Sequence, residues 1–260
     1  MGKRYTLNHE VAYYECDINQ NMTFPALLSV AIKASSDQSD QLERGTEYIN
    51  TLGITWVITQ TEVTIDRLPK VGEQITVVTE PTEFNRYFCY RSFWVYDSEE
   101  TELLKIDMSF VLMDVENRKM SSVDAKLMAP YESPQVKKIR RWPKIEKVEG
   151  EHHQLYHVRY YDLDSNHHVN NAMYFNWLID VLGYDFMTQH EPTYVNVKFD
   201  KEVLYGNDIE SFYEIVEAEE VKTRHEIRLG DQLACEANIL WQKRRALRQI
   251  VLVKTNLNKT

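Results

Sequence analysis

The 260-residue sequence predicts an α+β chain built from two copies of one unit. In each copy a long helix is wrapped by an antiparallel sheet, and the two sheets fuse side by side. Three observations carry this expectation. Alternating apolar and polar segments, the pattern of half-buried strands, recur in both halves of the chain. Each half also contains one strongly apolar segment with helical spacing. Finally, the halves can be aligned with each other residue by residue, which points to a tandem duplication.

In chain order, residue 5 onward opens as a strand. The first helix follows, with Phe24, Leu27, Leu28, Ala31 and Ser35 at i, i+3, i+4 spacing, Thr23 placed to cap, Pro25 in the first turn and Gly45 beyond the end. Segments 56–66, 74–82, 87–97 and 103–114 are rich in β-branched and aromatic residues and alternate in polarity, so they read as consecutive strands. The polar run 97–101 turns one into the next. Prolines at 130 and 134, followed by the basic stretch 136–147, mark a linker. The expected organisation is therefore an N-terminal unit at 1–129, a linker at 130–150 and a C-terminal unit at 151–260. In the second unit the helix is carried by Met173, Tyr174, Trp177, Leu178, Val181 and Leu182, with Asn170 as cap and Gly183 as stop. Strands are expected at 194–203, 209–217, 222–229 and 233–243, with a turn at Gly230-Asp231.

An offset of 147 aligns Tyr14, Asp17, Asn19 and Leu28 with Tyr161, Asp164, Asn166 and Phe175. An offset of 134 aligns Ile65-Asp66-Arg67 with Phe199-Asp200-Lys201, and Val71-Gly72 with Tyr205-Gly206. The stretch between these landmarks is thus 147 − 134 = 13 residues shorter in the second copy.

Composition excludes several function classes. With 43% hydrophobic and 27% charged residues the chain can bury a core. Lys and Arg number 30 against 40 Asp and Glu, a net charge of −10 that repels phosphate backbones and anionic membrane surfaces, so nucleic acid is not an expected partner. No run approaches the ~18 uninterrupted apolar residues of a membrane span, and residues 1–10 lack an apolar signal core. A cytoplasmic protein is expected. Cys16, Cys89 and Cys235 share no C-x-x-C spacing and read as buried reduced thiols. The loose myristoylation pattern at Met1-Gly2 and the sequons at Asn21 and Asn258 are patterns of the kind that arise by chance.

The densest polar cluster is 160–177, where Asp164, Asn166 and His168 fall on every second residue. In an extended segment they share one face, presenting an acid, an amide and an imidazole. Such a set can transfer an acyl group to water: the imidazole accepts the proton, and the amide stabilises the oxyanion beside a helix N-terminus. Two alternatives stand beside this reading. One is a capping and turn arrangement; the other is a zinc site in which His152, His153 and His157 join Asp164 and His168. The duplication bears on the choice, because Asn21 occupies the place of His168 in the first copy.

The sequence resembles the acyl-acyl carrier protein thioesterases of plants and bacteria. Their signature D-x-N-x-H-x-N-N-x-x-Y-x-x-W stands here as Asp164, Asn166, His168, Asn170, Asn171, Tyr174 and Trp177. Supporting matches are Trp56-Val57-Ile58-Thr59, 86–97 and 110–113. The resemblance implies a tandem (double) hot-dog fold and a catalytic glutamate about 34 residues after the histidine, on a strand, which is Glu202. It implies hydrolysis of acyl-carrier-protein thioesters by activated water, with Asp164 orienting His168 and Asn166 polarising the carbonyl. No metal or organic cofactor is implied, and a homodimer is compatible. Many plant members carry a cysteine next to the glutamate, where this chain has Val203. No plastid transit segment is recognised, so a bacterial-type member is expected. An acyl-coenzyme A thioesterase, a hydratase of the same fold and a non-catalytic acyl-binding regulator remain the rival readings.

Overall fold

A computed structural model describes residues 1–217 and 219–244. Its first half runs from β1 (Tyr5–Glu10) into the long helix α1 (Phe24–Gln41) and the short α2 (Thr46–Thr51). Strands β2 (Ile54–Ile65), β3 (Gln74–Phe84), β4 (Phe88–Tyr96) and β5 (Glu102–Asp114) follow, then the two-residue β6 (Met120–Ser121) and the short α3 (Ala125–Met128). The second half comprises β7 (His153–His157), α4 (Asn171–Asp180), α5 (Gly183–Gln189), β8 (His190–Phe199), β9 (Asp208–Glu217), β10 (Val221–Leu229) and β11 (Gln232–Lys243).

The eleven strands of the described residues form one antiparallel sheet in the order β1-β3-β4-β5-β2-β8-β11-β10-β9-β7, with β6 attached to β5. The seam between the halves is the β2–β8 ladder, in which Thr61 lies opposite Val197 and Val63 opposite Val195. On the opposite face of that ladder the Gln60 amide donates to Asn196 Oδ1 at 2.8 Å, and Tyr194 donates to Glu62 at 2.5 Å. Alternation sends Val63, Val195, Val197 and Ile239 inward, where one apolar core contains residues of both helices and both half-sheets. The helices meet through Phe24 and Phe175, whose rings stack at 5.5 Å. The expected arrangement of two wrapped helices on a fused sheet is the one observed.

The linker is ordered on the outer face of the sheet. The Arg140 backbone N–H donates to the Tyr90 hydroxyl at 3.0 Å, Asn196 donates to the Pro143 carbonyl, and the Glu146 N–H donates to Asn238 Oδ1 at 2.8 Å. It straps the two halves together and buries its own Ile145.

Two expectations change. The strand expected at 194–203 begins at His190 and stops at Phe199, because the next two N–H groups, of Asp200 and Lys201, both turn onto the Ala234 carbonyl. Glu202 therefore stands in the loop after β8, not on a strand. The segment carrying Asp164, Asn166 and His168 is a tight turn, not an extended strand, with His167 at φ 64°.

Candidate active site

The turn at 164–168 is closed at both ends by backbone bonds. Asp164 N–H donates to the His168 carbonyl at 2.8 Å, His167 N–H donates to the Asp164 carbonyl at 3.1 Å, and Leu163 and Val169 pair as a bridge. Inside it, the Asp164 carboxylate accepts from the Asn166 backbone N–H at 2.8 Å and lies 3.5 Å from the Asn166 side-chain amide. Asp164 thus positions Asn166. Among the described residues it makes no hydrogen bond to the His168 ring, where the resemblance had placed it.

His168 and Glu202 are brought together by zipping two loops. Val169 N–H donates to the Val203 carbonyl at 3.0 Å, and His168 pairs with Leu204 as a bridge. The Tyr174 hydroxyl on α4 donates to the Lys201 carbonyl at 3.4 Å, and its ring packs edge-on against Phe199 and Trp177. The signature tyrosine and tryptophan are therefore buried braces for the Glu202 loop. His168 Nε2 lies 3.3 Å from Glu202 Oε2, both groups being partly exposed. Glu202 also receives Arg118, from the turn between β5 and β6 in the first half. Nothing in the sequence around Arg118 marks it, since the contact crosses the seam.

The first copy repeats this scaffold without the histidine and the glutamate. Asp17 N–H donates to the Asn21 carbonyl at 2.8 Å, Gln20 sits at φ 64°, and Asp17 Oδ1 accepts from Asn19 N–H at 2.9 Å. Met22 N–H donates to the Pro69 carbonyl at 2.8 Å, matching the Val169–Val203 link. The turn is thus a folding device shared by both copies. What distinguishes the second is His168 in place of Asn21 and Glu202 in place of Leu68.

Asn170 caps α4, its side chain accepting from Ala172 N–H at 2.9 Å, so the positive end of the helix faces the turn. Beside it opens a cavity of about 590 Å³. Asp164, Asn166, Asn171 and Phe175 line one end, and the cavity continues between α1 and the first half-sheet past Trp56, Phe110 and Tyr131. His168 and Glu202 are not part of this lining. An apolar slot of this size with a polar mouth suits a flexible hydrocarbon chain.

Cys89 and Cys235 are buried, whereas Cys16, expected to be buried too, is half-buried. Burial pushes Cys89 up to about 12 and Cys235 well above the usual thiol range, and burial together with Asp17 and Glu15 raises Cys16. Val203, the position next to Glu202, is fully buried. The histidines of the zinc alternative do not gather at the turn. His153 and His157 face Glu210 and Asp208 across β9, and no group of three or more metal-ligating side chains assembles among the described residues.

Residues 2–131 match the model of the acyl-ACP thioesterase N-terminal domain, and 145–243 that of the C-terminal domain. A curated chloroplastic acyl-[acyl-carrier-protein] hydrolase of Cuphea viscosissima is 20% identical over 225 residues, covering 81% of this chain and 54% of that protein. The chain spans about half the length of the curated relatives it matches. A solved Lactobacillus plantarum protein assigned as an oleoyl thioesterase is 36% identical, with TM-score 0.91, covering 94% of this chain and 98% of that one. An acyl-ACP thioesterase of Bacteroides thetaiotaomicron shares the fold at 18% identity, with TM-score 0.81, over 92% of this chain and 98% of its own. The tandem hot-dog architecture is thereby established. With both domain models matched in order and the 36%-identical relative aligned over nearly its whole length, the chain belongs to the acyl-ACP thioesterase family.

Proposed function

We propose that this chain hydrolyses the thioester joining a fatty acyl group to acyl carrier protein, releasing the free acid and ending chain elongation. The observation that supports this most is the His168–Glu202 pair, 3.3 Å apart, held next to the turn whose Asp164 and Asn166 edge the cavity. In this reading the acyl chain lies between α1 and the first half-sheet, with the thioester at the α4 end. Water loses its proton to the His168–Glu202 pair as its oxygen adds to the carbonyl carbon. The Asn166 amide and the N-terminus of α4 meet the oxyanion, with Asp164 holding Asn166 in place. The intermediate then breaks its C–S bond, and the departing thiolate takes the proton back.

The carrier protein, as donor, is the finer part of the proposal. Carrier proteins of fatty acid synthesis are acidic, and this chain is itself at −10, so docking needs local positive charge. Lys137, Lys138 and Arg141 stand exposed on the strap, whereas Arg140 is committed to Glu83 and Asp107. A further basic run, Lys243, Arg244, Arg245 and Arg248, stands near the C-terminal end of β11; there Arg244 faces Asp17 and Glu191, while Arg245 and Arg248 lie outside the described residues. No described helix is long and apolar enough to cross a membrane. Action in the cytoplasm, and homodimer formation readable by sedimentation, belong to the same proposal. The test is hydrolysis of one acyl chain presented on carrier protein and on coenzyme A. A higher kcat/KM for the carrier-bound form is expected, and equal efficiency would put the acyl-coenzyme A reading in its place.

A further inference from the structure

Among the charged side chains that line the cavity, Arg91 alone is buried, and it has no counter-charge among the described residues. Along β4 the inward positions are Cys89, Arg91, Phe93 and Val95, so Arg91 interrupts an apolar face. It is 7% exposed and lines the cavity. The other buried charges among the described residues are paired: Glu80 with Arg4, Asp162 with Arg159, and Glu226 with Arg228. Among the described residues no carboxylate lies within ion-pair distance of Arg91.

Its orientation is fixed from one side. Nη1 donates to Gln38 Oε1 at 2.6 Å and to Thr79 Oγ1 at 3.1 Å, and the Gln38 amide is itself anchored on the Lys3 carbonyl at 2.7 Å. The guanidinium carbon lies 5.7 Å from the centre of the Tyr131 ring. Nε and Nη2 have no protein acceptor among the described residues, and neither is sealed as a buried orphan, so their N–H groups open to the cavity. Burial lowers the group to about 10, which leaves it charged at neutral pH.

A buried cation with spare donors is unfavourable against a hydrocarbon and favourable against an oxygen. We propose that Arg91 makes this cavity selective for acyl chains bearing a hydrogen-bond-accepting oxygen, a hydroxyl or keto group, where the chain passes β4. The site lies well along the chain from the thioester. Arg91, Met108, Thr61 and Val197 are successive register partners on β4, β5, β2 and β8. Three strand spacings, ~14 Å, therefore separate Arg91 from β8, whose end leads to the Glu202 loop.

This inference rests on the proposed placement of the acyl chain in the cavity, and equilibrium binding tests it without requiring turnover. Saturated fatty acids of graded length and their ω-hydroxy counterparts are titrated calorimetrically into the wild-type protein, Arg91→Met and Arg91→Lys. At the length that brings the hydroxyl to Arg91, the ω-hydroxy acid should bind about tenfold to a hundredfold more tightly than the plain acid, the range for a hydrogen bond to a charged group. Arg91→Met should abolish that preference and gain affinity for the plain chain, while Arg91→Lys should keep part of it. Wild-type binding with no preference at any length would overturn the inference, and that comparison does not depend on any variant folding. So would an Arg91→Met protein that loses thermal stability yet keeps the preference, which leaves Arg91 only as an anchor for α1. Cleavage of plain thioesters without oxygen preference refutes the inference and leaves the hydrolase standing. Selective binding without cleavage of any thioester does the reverse.

Discussion

Alkylation of Cys89 measures whether a thiol can serve as the nucleophile. Cys89 lines the cavity from β4, is buried, and has its Sγ 3.8 Å from the Met128 sulfur. Its burial outweighs the pull of the Arg91 cation and holds the thiol up at about 12. At pH 7 the thiolate fraction is then ~10⁻⁵, against ~10⁻² for a free cysteine near 8.5. Since the thiolate is the reacting form, alkylation should be ~10³-fold slower than for a free cysteine even before restricted access is counted. The assay follows iodoacetamide modification of the Cys89 peptide by mass spectrometry alongside thioester hydrolysis. Hydrolysis should survive with Cys89 unmodified. Cys89→Ala should keep its turnover while losing about 1 kcal/mol of stability from the small cavity it leaves. Rapid alkylation of Cys89 with parallel inactivation, prevented by Cys89→Ser, would refute the reasoning and restore a covalent route.

Three further outcomes follow from particular contacts. His225 is wholly buried, with Nδ1 unpartnered among the described residues and Nε2 2.7 Å from Thr223 Oγ1, and burial lowers it to about 3. The folded state thus binds this proton less readily than the unfolded one near 6.5, so the stabilisation is full above pH ~6.5 and is lost as pH falls toward 3, by roughly 5 kcal/mol at most. Chemical denaturation of His225→Gln across that range should show a flatter acid-side decline than the wild type. Asn21→Ala, in the copy that carries Leu68 in place of the glutamate, should leave turnover at saturating substrate nearly unchanged; a loss comparable with that of His168→Ala would make both copies catalytic. Lys137→Glu with Lys138→Glu should raise KM for the carrier-bound substrate with little change in kcat, as should added salt over a Debye length of ~8–10 Å; an unchanged KM would remove the strap from the docking surface.

Most strands and both long helices were legible because their apolar positions repeat at two or at three and four residues, and because Thr23 and Asn170 stand where helices begin. The end of β8 was not, since Phe199 and Val203 keep apolar spacing on either side of a loop whose start is set by the distant Ala234 carbonyl. Asp164, Asn166 and His168 stood out in the sequence as one cluster, but the geometry of their segment did not. An Asp accepting from the N–H two residues on makes a turn out of a segment whose alternation looks extended, and the equivalent Asp17 turn was visible only as an identity between copies. The Glu202 position came from the spacing of the resemblance; the bond that delivers it to His168 is the loop pairing through Val169 and Val203. Arg118 was beyond reach because its partner lies across the seam. Arg91 did leave a trace, as a charge in the inward phase of an otherwise apolar strand.

The central claim is that water activated by the His168–Glu202 pair cleaves the thioester. Its most direct test is the kcat of His168→Ala and Glu202→Gln on an acyl-carrier-protein thioester, measured on proteins whose unfolding transitions match the wild type. Each should fall by ~10²–10⁴, the range for losing general acid–base assistance, with KM changing far less. Turnover near the wild-type value in either variant would contradict the account.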